Sequence, residues 1–132
     1  MDRKIKAFLI YAYSFIFLYM LNSLLMWFSL RANFPTTIVV IVEAVIMITG
    51  LFFSFRAIIG KYYGIKDDKK VAKAWLIHFI PFVITSYLLL FFVFSLVKIP
   101  SLAIFLYLNL DVVVLFFTFK FAVEKFIERN YE

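Results

Sequence analysis

The sequence predicts an all-α integral membrane protein: four transmembrane helices forming a parallel duplication of one two-helix hairpin, with both termini cytoplasmic. Three observations carry this expectation, namely apolar content, the spacing of its interruptions, and a phrase that occurs twice. Of 132 residues, 66% are hydrophobic and 22% aromatic while only 17% are charged. That is too little polar surface to clothe a water-soluble domain of this size. Crossing about 30 Å of hydrocarbon takes roughly 20 mostly apolar residues, and four stretches qualify, at about 7–30, 35–59, 71–97 and 101–127. They leave room for a single transmembrane domain over 1–132 and little else. The repeated phrase is LFFSFR at 51–56, which returns as LFFTFK at 115–120.

Helix one begins its apolar run at Ala7, and that run is too long for a signal core and lacks a small-residue cleavage site, so the helix is expected to be retained. Helices two and four each open on a proline, Pro35 and Pro100, which suits a first turn where a missing N–H costs nothing. Asn33 and Ser101 lie close enough to offer capping oxygens. Both short links therefore read as tight hairpins. The middle link, about 60–70, mixes Gly64, Asp67 and Asp68 with lysines and is expected to be a solvated loop. Helix three contains Pro81, which leaves the Ile77 carbonyl without its usual donor and invites a kink or a bound water beside His78.

Lysine and arginine set the orientation. Arg3, Lys4 and Lys6 precede helix one, Arg56, Lys61, Lys66, Lys69, Lys70 and Lys73 flank the middle loop, and Lys120, Lys125 and Arg129 close the chain, whereas only Arg31 and Lys98 lie on the other side. The positive-inside rule then places both termini and the middle loop in the cytoplasm of a multi-pass cell-membrane protein. The net charge of +6 follows from this topology and from attraction to anionic headgroups, and gives no reason to expect nucleic acid.

The repeat extends beyond its strongest piece. KAFLIYAYSF from Lys6 aligns with KAWLIHFIPF from Lys73, and Pro35 aligns with Pro100. The halves are about 6–63 and 73–127, and a two-helix unit that starts and ends on one side must repeat in the same orientation. With this layout and the segments FFSFRAII at 52–59 and FFTFKFAV at 116–123, the chain resembles the GtrA-like family of small four-helix membrane proteins. That resemblance implies a part in moving polyprenyl-phosphate-linked sugars across the membrane for cell-surface glycan synthesis, beside a partner glycosyltransferase.

Arg56 and Lys120 occupy matching positions near the cytoplasmic helix ends, where a long cationic side chain reaches headgroup level. Two readings stand side by side: simple inside-facing anchors, or a pair that holds a lipid phosphate while its isoprenoid tail lies along Phe52, Phe53, Phe116 and Phe117. Deeper in the membrane, Glu43 lies roughly 12 Å into helix two and Asp111 roughly 15 Å into helix four. Carboxyls at such depth are costly and usually functional. Glu43, Gly50 and Ser54 share one helix face, as do Tyr107, Asp111 and Thr118; Tyr11, Ser14 and Asn22; and His78, Pro81 and Thr85. These stripes are expected to face one another or a partner chain. They could form a polar groove for a sugar, lined by Glu43, Asp111, Tyr107, Asn22, His78, Ser54 and Thr118, or serve as hydrogen-bonded ties between helices.

No nucleophile stands beside a base, three glycines cannot build a phosphate loop, and cysteine is absent, so neither an enzyme nor a cofactor or metal site is expected. Two other functions compete with sugar-lipid translocation. One is proton-coupled export of small molecules, as in the similar four-helix small multidrug resistance proteins. The other is a non-catalytic subunit anchoring a glycosyltransferase or larger complex. Because four packed helices fill their own interior, a homo-oligomer in contact with membrane lipid is expected.

Overall fold

The computed structural model describes residues 2–128. Arg129, which contributes to the charge asymmetry above, lies outside the described residues. The elements are α1 (Arg3–Arg31), α2 (Thr36–Tyr63), α3 (Asp68–Leu96) and α4 (Pro100–Ala122), the last continuing into a π-helical turn at Val123–Glu128. No strand occurs among the described residues. All four helices are long and apolar enough to cross a membrane, with the π turn extending the fourth. The chain divides after Gly64 into two compact units, one in which α1 packs on α2 and one in which α3 packs on α4.

The first three helices run further at their charged ends than their apolar windows, and the caps explain why. The Asp2 carboxylate accepts from the Lys4 N–H at 3.4 Å and starts α1 at Arg3. Asp67 does the same for α3 by accepting from the Lys69 N–H at 3.0 Å. Between them, α2 ends on Gly64 in the left-handed region (φ 68°), whose N–H donates to the Gly60 carbonyl at 3.2 Å. The middle link thus shortens from the expected 60–70 to 64–67.

At the turn of the first hairpin Asn33 has a different task from the expected cap. It adopts φ 59°, donates its N–H to the Leu30 carbonyl at 3.3 Å, and is followed by a Phe34 N–H donated to the Ser29 carbonyl at 3.0 Å. This pair closes the C-terminus of α1 as a Schellman motif, with asparagine in the position that glycine usually takes. The N-terminus of α2 carries no side-chain cap bond. Nor does that of α4, where Ser101 already sits inside the first turn behind Pro100. Proline at the start has no N–H to be capped, which lessens the need.

The two units bury corresponding positions. In the first, Ala7, Tyr11, Leu51, Phe55, Ile59 and Tyr63 are buried to 1% exposure or less. In the second, Ala74, His78, Leu115, Phe119, Val123 and Ile127 are buried likewise. The Tyr11 and Phe55 rings meet edge to face at 5.8 Å and 74°, and the His78 and Phe119 rings at 6.1 Å and 83°. Lipid is as apolar as these side chains, so the stabilisation comes from close packing rather than from water release. Gly50 permits such packing in the first unit, since a Cβ there would stand 2.8 Å from both terminal methyls of Leu18. The charged ends are also secured alike: Arg3 lies 4.9 Å from the Tyr63 ring centre, and Lys73 Nζ 5.7 Å from that of Phe126.

Candidate functional site

In the first unit the polar residues of α1 and α2 gather between Tyr19–Met26 and Val40–Met47, in the half nearer the Asn33 turn. The Asn22 side-chain amide donates to the backbone carbonyl of Glu43 at 3.1 Å, a tie that holds α1 against α2 at this level. What remains of both residues is then acceptor-rich: Asn22 Oδ1 and Glu43 Oε1 are buried oxygens with no hydrogen-bond partner. Leaving such atoms unmatched costs on the order of 1–3 kcal/mol each. Beside them Ser23 donates its hydroxyl hydrogen to the Tyr19 carbonyl at 3.0 Å. Asn22, Ser23 and Glu43, with Tyr19, Met26 and Met47, line an open groove of about 560 Å³. Ligand sites commonly occupy about 300–1,000 Å³.

In the second unit the predicted polar residues make contacts of their own. The Ser86 and Tyr107 hydroxyls are 2.7 Å apart, so one donates to the other. Asp111 is 4% exposed, and its Oδ1 is buried with no partner. Nearer the charged end, Thr118 Oγ1 donates to the Val114 or Leu115 carbonyl, at 3.0 and 3.1 Å. A threonine has one hydroxyl hydrogen, so while that hydrogen is given to a carbonyl, the 2.9 Å contact with His78 has the Thr118 oxygen accepting and His78 Nδ1 donating. Pro81 and Thr85, on the face expected to follow His78 inward, are exposed, and α3 continues unbroken through Pro81.

Ser54 is half-buried at the α2 position that corresponds to Thr118. Arg56 is exposed and Lys120 half-exposed. The aromatic pairs preceding them share one geometry: Phe52 and Phe53 at 5.7 Å and 64°, Phe116 and Phe117 at 5.6 Å and 65°. In each pair the second ring faces outward, Phe53 at 55% and Phe117 at 60% exposure. No group of three His, Asp or Glu side chains among the described residues is placed to hold a metal ion.

Three residues of these clusters are not singled out by the sequence patterns, Tyr19, Ser23 and Ser86. For Tyr19 and Ser86 the signal is the repeat itself; Ser23 has no such counterpart, since an offset of 67 carries it onto Leu90. The offset of 67 that pairs helix one with helix three carries Tyr19 onto Ser86, and the offset of 64 carries Glu43 onto Tyr107. The same two positions thus form a hydroxyl pair in one unit and two walls of a groove in the other. Compared with protein-family models, curated proteins and solved structures, the chain finds no match.

Proposed function

We propose that this chain moves a polyprenyl-phosphate-linked sugar across the membrane for cell-surface glycan synthesis, as a duplicated hairpin whose termini and middle link are cytoplasmic. The observation that carries the reading is the groove between α1 and α2, with unmatched oxygens of Asn22 and Glu43 inside a segment long enough to span lipid. A polar headgroup crossing the bilayer needs hydrogen-bond partners that lipid does not offer, and this wall supplies them.

Arg56 and Lys120 act at the other end of the path as phosphate contacts, where charge-assisted bonds to an anion are strongest. The outward rings of Phe53 and Phe117 give the isoprenoid chain an apolar track beside them. Arg56 follows Glu43 by thirteen residues, about 20 Å along one helix and on a different face. One headgroup cannot touch both at once. The cations and the groove are therefore successive stations, the first receiving the lipid phosphate and the second the sugar in transit. Support for the duplication comes from the corresponding buried positions and from the paired ring contacts of the two units. A partner glycosyltransferase supplies the lipid-linked sugar at the cytoplasmic side, and a second copy of the chain shields the laterally open groove.

Native mass spectrometry of the protein extracted with its own lipids tests this. The reading requires a co-purifying polyprenyl-phosphate or its glycosylated form, lost when Arg56 and Lys120 are both replaced by glutamine. Ordinary phospholipid alone, bound equally by the double variant, would sink it.

A further inference from the structure

The groove in the first unit is rich in acceptors. Asn22 has spent one of its two amide hydrogens on the Glu43 carbonyl and Ser23 its only hydroxyl hydrogen on the Tyr19 carbonyl, so their oxygens face a ligand with one Asn22 N–H and the Tyr19 hydroxyl as the remaining donors. Glu43 adds a carboxyl. No Lys, Arg or His lines the groove, so nothing in its wall compensates a carboxylate within the span. A carboxylate kept from water needs an opposite charge that also donates hydrogen bonds. A primary ammonium offers both: one positive charge and three N–H donors to set against three kinds of acceptor. A quaternary ammonium has the charge without donors, and a neutral hydroxyl has a donor without the charge.

We propose that this groove selects a primary ammonium borne by a membrane amphiphile, an amino sugar on its lipid carrier or an amino phospholipid headgroup. The inference rests on reading the groove as the headgroup station. The second unit indicates how the selectivity is lost. At the corresponding positions Ser86 and Tyr107 meet across 2.7 Å, a neutral hydroxyl pair where the first unit has the Glu43 carboxyl. Replacing Tyr19→Ser together with Glu43→Tyr transplants that pair into the first unit and abolishes the charge preference while keeping a tie between the helices.

The test uses the full chain in phosphatidylcholine nanodiscs, titrated with octyl glucosaminide and, separately, octyl glucoside, amphiphiles that differ by one amino group in place of a hydroxyl. Binding is read from the Asn22 side-chain amide resonances. Octyl glucosaminide is expected to bind about tenfold or more tightly than octyl glucoside, with the preference removed by Glu43→Gln and by the Tyr19→Ser/Glu43→Tyr pair but kept by Asp111→Asn. Repeating the titration with phosphatidylethanolamine in the disc separates the two sources. Competition identifies the phospholipid headgroup as occupant, and an unchanged preference identifies the amino sugar. Equal affinity for the two glycosides in the unmodified protein, which needs no variant to fold, overturns the inference, as does a preference that survives Glu43→Gln. Either failure leaves the translocation reading standing if polyprenyl-phosphate still co-purifies, because that reading requires only a polar headgroup.

Discussion

Thr118 shows how one hydrogen can organise a buried cluster. When its hydroxyl hydrogen goes to a backbone carbonyl, its oxygen is left as an acceptor for His78. Nitrogen-edited NMR should find the hydrogen of His78 on Nδ1, and Thr118→Val, which removes the acceptor and keeps the shape, should cost about 1–3 kcal/mol in a reversible unfolding measurement. An unchanged ring signal and unchanged stability would show that the bond has no such role. Gly50 makes a second residue-scale case. Its missing Cβ makes room for the end of Leu18, a side chain that can turn aside. Gly50→Ala should therefore cost about 1 kcal/mol, and less in a Leu18→Ala background, because the crowding is gone; additive losses would count against this contact. Asn22, Glu43 and Asp111 were legible in the sequence because polar atoms inside long apolar runs need a reason to be there. Ser86 was not, since a small hydroxyl between Thr85 and Tyr87 in an otherwise leucine-rich stretch carries no such signal until the residue opposite it is known.

Helix count and helix order follow from apolar length, and the prolines mark two starts within a residue: α2 opens after Pro35 and α4 on Pro100. The other boundaries depend on backbone geometry that composition does not reveal. Gly64 and Asp67 draw α2 and α3 to within four residues of each other, in a stretch whose lysines and aspartates argued for a longer loop. Asn33 is the clearest example, because its side chain suggested a cap for the helix that follows and its left-handed backbone instead closes the helix before it. Asn33→Gly should leave stability unchanged or slightly raised, whereas Asn33→Ala should lower it by about 1 kcal/mol, since only the methyl side chain is penalised at φ 59°. Equal effects of the two replacements would mean that the turn relaxes out of this conformation.

At the scale of the whole molecule, four helices are long and apolar enough to cross a membrane, and with lysine and arginine concentrated at one set of ends the proposed topology puts the middle link and the first hairpin turn on opposite sides of the bilayer. The chain has no cysteine, so single replacements at Lys66 and Ala32 can be labelled in intact cells with an impermeant maleimide. The Ala32→Cys variant should react from outside and the Lys66→Cys variant only after the membrane is opened; the reverse pattern would invert the path proposed for the lipid. Direction matters because the account places phosphate-binding cations at one end of the hairpins and an acceptor-lined groove nearer the other. Its central claim is that these stations carry a lipid-linked sugar between leaflets. The most direct test is reconstitution of the protein into liposomes that hold a fluorescent short-chain polyprenyl-phosphate sugar, with quenching of the outer leaflet followed over time. The account predicts that the protected inner-leaflet signal falls faster with protein than in empty liposomes, and that Arg56→Gln/Lys120→Gln and Glu43→Gln each slow it about tenfold or more. Inner-leaflet fluorescence that persists as in empty liposomes, with the protein folded and inserted, would contradict it.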